Sequence, residues 1–424
     1  MALEKRKEAL YTAILHQELK VAMGCTEPIA IAYCAAYARK VLGAQPVRYV
    51  AHCSGNIIKN AKAVTVPQTG GLKGIEAAVL AGSIGGDPSL ELEVLTTVTP
   101  EHQEEIRRQL AANAVELALL DTPHSLHIVV ECYAQDGSSA SAEIVDTHTN
   151  IGQVKKNGEV IRQRREATAQ ETSSGREELN VRDILIYADT VDLDDVRDVL
   201  ERQIELNMEI SREGLTNTWG TSVGKTLLEQ CADDRCRLRA IAAAGSDARM
   251  NGCALPVVIN SGSGNQGMTV SIPVIEYARM IGAEHDKLLR ALCVSNLCAI
   301  HQKTGIGRLS AYCGAVSAAT GSAAGIAYLD GQDYNCIAQT IINSLGNISG
   351  MICDGAKSSC AAKIASALES ALLGYDMAKA GRGFQDGEGI VKGDVEETIK
   401  NVGRMASKGM HCTDLEVLRI MIDQ

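Results

Sequence analysis

Aromatic rings are scarce in this chain, which has one Phe and one Trp among 424 residues. A core cannot then rest on large rings, and Ala, Val, Ile and Leu must build it at close helix contacts. Long basic runs are also missing. With a net charge of -11, the chain lacks the Lys/Arg stripe that nucleic acid or an anionic membrane surface would select. No stretch of about 18 uncharged apolar residues occurs outside small-residue runs rich in Gly and Ser, and no apolar signal core follows the charged N-terminus. The expectation is a cytoplasmic protein with no membrane and no nucleic-acid partner. The fourteen cysteines lack the dense spacing of secreted disulfide frameworks and read as reduced thiols.

What is present is a globular composition, 46% hydrophobic, long enough for two or three domains. An amphipathic pattern over 3–22 and a second helix, N-capped by Thr26 with Glu27 and Pro28 in its first turn, make residues 1–43 a pair of N-terminal helices packing on the helical domain. From Pro46 the period changes to two. Strand-like runs near 47–51, 90–98, 126–133 and 141–146 alternate with helical runs at 72–81 and 101–120. Residues 44–165 therefore read as a small α+β domain, an antiparallel sheet with helices on one face. The polar segment 166–180 reads as a linker, and 181–424 as a large all-helical domain ending in one helix over 394–422. The fold class is α+β.

Three candidate thiolate ligands, Cys313, Cys353 and Cys360, lie between Tyr312 and Leu373, each beside glycine or small residues that let a bulky inorganic group approach the backbone. Cys313 falls at a helix start, and Ser358 and Ser359 N-cap a helix with Cys360 in its first turn. Helix N-termini favour the thiolate, and such thiolates hold iron. Gly314, Ala318, Ser322 and Gly325 form a smooth helix face. Cys25 also lies at a helix entrance, where position alone favours a buried thiol at a tight junction. Cys231 and Cys236, five apart among charges, are a weak metal pair. The run Ser261-Gly-Ser-Gly-Asn-Gln-Gly267 exposes successive backbone N–H groups before a helix, an arrangement for a carboxylate or phosphate. The stretches 54–60 and 66–71 read as loops with the donors of a binding site, though most such loops are only turns.

Taken together, Gly24-Cys-Thr-Glu-Pro-Ile-Ala, Ser246-Asp-Ala-Arg-Met, the 261–267 run, Arg308-Leu-Ser-Ala and Ser349-Gly-Met-Ile-Cys-Asp-Gly-Ala resemble the L-cysteine desulfidase family, which is related to the α part of iron-sulfur L-serine dehydratases. The likeness spans nearly the whole chain. It implies a 4Fe-4S cluster held by Cys313, Cys353 and Cys360 with one iron open to substrate, and conversion of L-cysteine to pyruvate, ammonia and hydrogen sulfide. It also implies that Cys25 is the base or an exchangeable fourth ligand. Cys412 is an imperfect counterpart of a C-terminal cysteine that the dehydratases use.

On this reading an open iron acts as Lewis acid on the substrate thiol, and Cys25, its pKa lowered from about 8.5 by a helix N-terminus, takes the Cα proton. Ser261, Ser263, Asn265 and Gln266 hold the carboxylate. Asn56, Lys59 and Arg308 are further candidates for that task, each with an alternative role as a solvated or capping side chain. The rivals are a serine dehydratase with the same site, a pyridoxal-phosphate lyase for which no lysine motif is visible, and a non-enzymatic redox sensor. Oligomerisation is a general expectation for Ala/Gly-rich helical enzymes of this size, and nothing in the sequence fixes it.

Overall fold

A six-stranded sheet and a larger body of helices make up the chain, as a computed structural model describing residues 3–163 and 175–422 shows. Helix α1 (Lys5–Glu18) and strand β1 (Val21–Met23) lead into α2 (Thr26–Leu42). There follow β2 (Arg48–Cys53), α3 (Gly55–Ala61), α4 (Gly74–Gly85), α5 (Pro100–Ala111), β3 (Val115–Leu119), β4 (His127–Tyr133), β5 (Ser139–Val145), β6 (Ile151–Lys156) and β7 (Glu159–Arg162). The sheet order is β3-β2-β4-β5-β6-β7. Every pair is antiparallel except β2 with β3, which runs parallel across the α3–α5 crossover. Strict alternation along β4 and β5 buries Ile128, Val130 and Cys132 with Ala140, Ala142 and Ile144. The apolar helix α2 covers that face.

Residues 90–98 do not form the expected strand. Asp87 accepts a hydrogen bond from the Ser89 amide and starts a 3-10 turn at Pro88–Glu93, and Glu91 sits at φ 47°, so the alternating Leu and Val residues never extend. The 54–60 stretch is likewise the helix α3 rather than a loop. The 1–43 segment divides: α1 is fastened to the helical part through Thr12–Tyr187 and Lys7–Asp183, whereas α2, expected beside it there, packs on the sheet and α4. The expected linker at 166–180 lies partly outside the described residues; within it, Arg176–Glu178 is a 3-10 turn.

The helical part runs α6 (Val181–Thr190), α7 (Arg197–Thr216), α8 (Val223–Glu229), α9 (Asp234–Met250), β8 (Pro256–Val258), α10 (Gly264–Ile281), α11 (His285–Ile306), α12 (Gly314–Leu329), α13 (Tyr334–Ile348), α14 (Cys360–Lys379), α15 (Val395–Arg404) and α16 (His411–Ile422). The single helix expected over 394–422 is broken by a π turn at Met405–Gly409. Helix α12 is the hub, packed by α10, α11, α13 and α14. Its smooth face makes this possible. A Cβ at Gly321 would lie 2.5 Å from the Ser295 carbonyl of α11, so only glycine admits that approach.

Two features tie distant segments together. Strands β1 and β8 pair antiparallel, Val21 opposite Val258, and so set the entrance of α2 beside the entrance of α10. An isolated bridge between Tyr312 and Ile352 does the same for the starts of α12 and the 353–360 stretch. Cys231 and Cys236 are joined in a disulfide, against the expectation of reduced thiols throughout.

Candidate active site

Cys313 is the N-cap of α12, and its amide donates to the Met351 carbonyl at 2.9 Å; the Cys353 amide donates back to the Ala311 carbonyl at 2.6 Å. These two bonds flank the Tyr312–Ile352 bridge and hold two thiols side by side. Cys360 opens α14 and reaches the same place from a third direction. All three line one cavity of about 100 Å³, many times the space of one water. Cys25 joins them there, with Met250, Ala356 and Cys360 packed around it.

The environment of these thiols differs from the sequence expectation. Cys25 is the N-cap of α2, with Thr26 the first helical residue. Its thiol is pushed well above the ordinary value, by burial first and then by the Glu27 carboxylate, to which its Sγ donates at 3.1 Å. Burial overrides the helix N-terminus. The same cause, reinforced by Cys353, pushes Cys313 up to about 12 and raises Cys360.

Residues that sequence reasoning passed over complete the cavity. Burial alone would raise the Glu27 carboxyl, but His148 and the Cys25 thiol hold it at about 2. His148 Nε2 stands 3.9 Å from Glu27 Oε1. Arg249, in the last turn of α9, is among the largest fully buried side chains. Lys303 is pulled down to about 8 by burial, opposed by Cys353 and Cys313. Lys363 donates to the Ile352 carbonyl and to Asp354, and against burial the Asp354 carboxylate raises its pKa. Ionisable residues inside otherwise apolar helices, as in Ala-Ala-Ala-Gly-Ser-Asp-Ala-Arg before Met250, were the available signal.

The 261–267 run is partly helical. Asn260 and Ser263 bond backbone to backbone across a tight turn, and Gly264 begins α10 with Ser263 as its N-cap. Gly262 lies at φ +79°, where a Cβ would meet Arg308 and His148 at 3.2 Å. Its carbonyl accepts from Thr26 Oγ1 at 2.9 Å, which locks the Cys25 entrance onto this turn. Ser261, Ser263, Asn265, Gln266 and Arg308 all line the cavity. Asn56 and Lys59 do not. They line a neighbouring cavity of about 370 Å³ under α16, where Lys59 pairs with Asp414. Cys412 is exposed and lines neither cavity.

A family model described as serine dehydratase alpha chain matches residues 89–419. The chain belongs to the serine dehydratase alpha chain family. UPF0597 proteins show the likeness end to end. That of Lachnoclostridium phytofermentans is 53% identical over 411 residues, 97% of this chain and 98% of its own. Those of Treponema denticola and Desulfitobacterium hafniense are 50% and 49% identical over at least 99% of both chains. Membership in the serine dehydratase alpha chain family supports a lyase-type enzyme related to the dehydratases. No helix among the described residues is long and apolar enough to cross a membrane.

The donor set can be tested against the iron-sulfur cluster usual in the serine dehydratase alpha chain family. No three His, Cys, Asp or Glu side chains among the described residues gather as a single-ion site. A single ion draws sulfurs to about 2.3 Å from one point, whereas a cluster presents a separate iron to each thiolate. Thiols spread around one cavity suit the second geometry. Lys303 and Lys363 beside them offset thiolate charge. The residues fit the group.

Proposed function

We propose that this chain is an L-cysteine desulfidase, converting L-cysteine and water to pyruvate, ammonia and hydrogen sulfide, with a 4Fe-4S cluster held by Cys313, Cys353 and Cys360. The observation that carries the reading is the gathering of those three thiols, Cys25 and the α10 entrance around one cavity. When bound, such a cluster supplies an open iron that acts as Lewis acid on the leaving group. The protein's own residues do the rest. The first turn of α10 and its Ser263 cap present donors to the substrate carboxylate. Cys25 takes the Cα proton, and its Sγ donates to Glu27, whose other oxygen faces His148 at 3.9 Å.

Burial keeps Cys25 protonated while Glu27 is its nearest charge. Arg249 acts in the opposite sense and favours the thiolate. Loss of the Cα proton and of sulfide leaves aminoacrylate, which tautomerises to the imine and hydrolyses to pyruvate and ammonia.

The second reading is L-serine dehydratase, favoured by the description of the matched family model. Steady-state comparison of the two amino acids with anaerobically reconstituted protein decides between them. The desulfidase reading expects the higher kcat/KM with L-cysteine. A higher value with L-serine assigns the dehydratase.

A further inference from the structure

We propose that Arg249 receives the substrate α-carboxylate at the entrance of α10 while Glu27 receives the α-ammonium, so that the cavity selects an α-amino acid zwitterion by two buried charges of opposite sign. This rests on the desulfidase reading and adds to it the residues that recognise the amino-acid end.

Arg249 is 2% exposed, yet its Nε and Nη2 have no hydrogen-bond partner and Nη1 has only the Asn265 Oδ1, at 3.2 Å. A buried guanidinium without a carboxylate is costly, and its planar fork matches a carboxylate bidentately. It lies directly against the first turn of α10: a Cβ at Gly264 would fall 2.3 Å from Arg249 Nε. The other cations of the cavity are engaged. Arg308 donates to Glu18 at 3.2 Å, Lys363 to Asp354, and Lys303 to the Arg308 carbonyl at 3.4 Å.

Glu27 shows the opposite need. Its Oε2 accepts from the neutral Cys25 thiol at 3.1 Å, and its nearest basic group, His148 Nε2, stands 3.9 Å from Oε1, beyond hydrogen-bond reach, so that edge of the carboxylate is open to an ammonium. Cys25, Glu27 and Arg249 line the same cavity, and Cys25 Sγ lies 3.1 Å from Glu27 Oε2. A carbon bearing both a carboxylate toward Arg249 and an ammonium toward Glu27 therefore comes to the Cys25 thiol, with its side chain free to reach Cys313, Cys353 and Cys360.

Two thiol probes separate the charges: 3-mercaptopropionate lacks the ammonium, and cysteamine lacks the carboxylate. Their equilibrium binding to the anaerobically reconstituted protein is measured for wild type, Arg249→Met, Arg249→Lys and Glu27→Gln, with iron content and Tm recorded for each. Arg249→Met is expected to weaken 3-mercaptopropionate at least about 30-fold while leaving cysteamine within about twofold, because one partner of a buried charge pair is lost. Arg249→Lys, which keeps the charge without the fork, gives the same contrast at smaller size and reads it if the Met variant does not fold. Glu27→Gln is expected to weaken cysteamine alone. Equal weakening of both probes, or of neither, in the Arg249 variants overturns the proposal. Failure of wild type to release sulfide from L-cysteine overturns the desulfidase reading instead, and the binding contrast still reports on Arg249.

Discussion

At the scale of single residues, the cavity is defined by thiols whose neighbours set their roles. Cys313→Ala, Cys353→Ala and Cys360→Ala are each expected to lose most iron and acid-labile sulfide, measured after anaerobic reconstitution. Full iron retention in all three would remove them as ligands. Cys25→Ala is expected to keep its iron and lose turnover by about 10²- to 10⁴-fold, the range for loss of a positioned proton-transfer group. That Cys313, Cys353 and Cys360 are candidates for one site was legible in the sequence because each stands near glycine or a helix start, and the structure brings all three to one cavity. The protonation of Cys25 was not. The helix N-terminus is a local feature, whereas the burial and the Glu27 charge that oppose it come from tertiary packing. Glu27, His148 and Arg249 were missed for a related reason: α2, the β5–β6 turn and α9 bring them together, and no spacing in the chain encodes that meeting.

At the scale of elements, the site depends on how closely helices approach α12. Gly321→Ala places a methyl group against the Ser295 carbonyl and is expected to lower stability by about 1–3 kcal/mol. Because Cys313 caps the same helix, iron loading is expected to fall with it; calorimetry and an iron assay check both. A carboxylate links three other helices. Glu396 of α15 accepts the Val181 amide of α6 at 2.7 Å and His301 of α11 at 2.6 Å. Burial raises this carboxyl, but His301 and the Val181 amide bring it below its ordinary value. A depressed carboxylate adds stability above its unfolded pKa of about 4.3 and loses it as pH falls through the folded value. Urea melts of Glu396→Gln are therefore expected to show a deficit at pH 7 that shrinks below about pH 4. A deficit unchanged with pH would contradict the linkage. Most helices were legible from their spacing, and the helical reading of α12 and α14 came within a few residues. The 90–98 run misled because its alternating Leu and Val mimic a strand, while the Asp87 cap and the Glu91 backbone reversal are decided locally by turn chemistry.

At the scale of the whole molecule, the division into a sheet-bearing part and a helical part was legible from the change of hydrophobic period near Pro46 and Val181. Its joining was not. The β1–β8 pair is only three residues long on each strand and spans more than 200 residues of sequence, so neither strand carries a recognisable pattern of its own. Yet it brings Cys25 to the α10 turn. Thr26→Val removes the bond to the Gly262 carbonyl that completes this closure, at an expected cost of about 1 kcal/mol, and KM for L-cysteine should rise with it. If the proposed ligands at the starts of α12 and α14 and in the segment between α13 and α14 hold a cluster, its binding stabilises the native state by mass action. The Tm is expected to rise on reconstitution and fall on chelation.

The most direct measurement is the release of sulfide and pyruvate from L-cysteine by anaerobically reconstituted protein, followed as a function of its iron content. The two products are expected in equal amounts, at a rate proportional to bound iron, and from protein that shows no turnover before loading. Turnover independent of iron, or a fully loaded protein that releases no sulfide, would contradict the account.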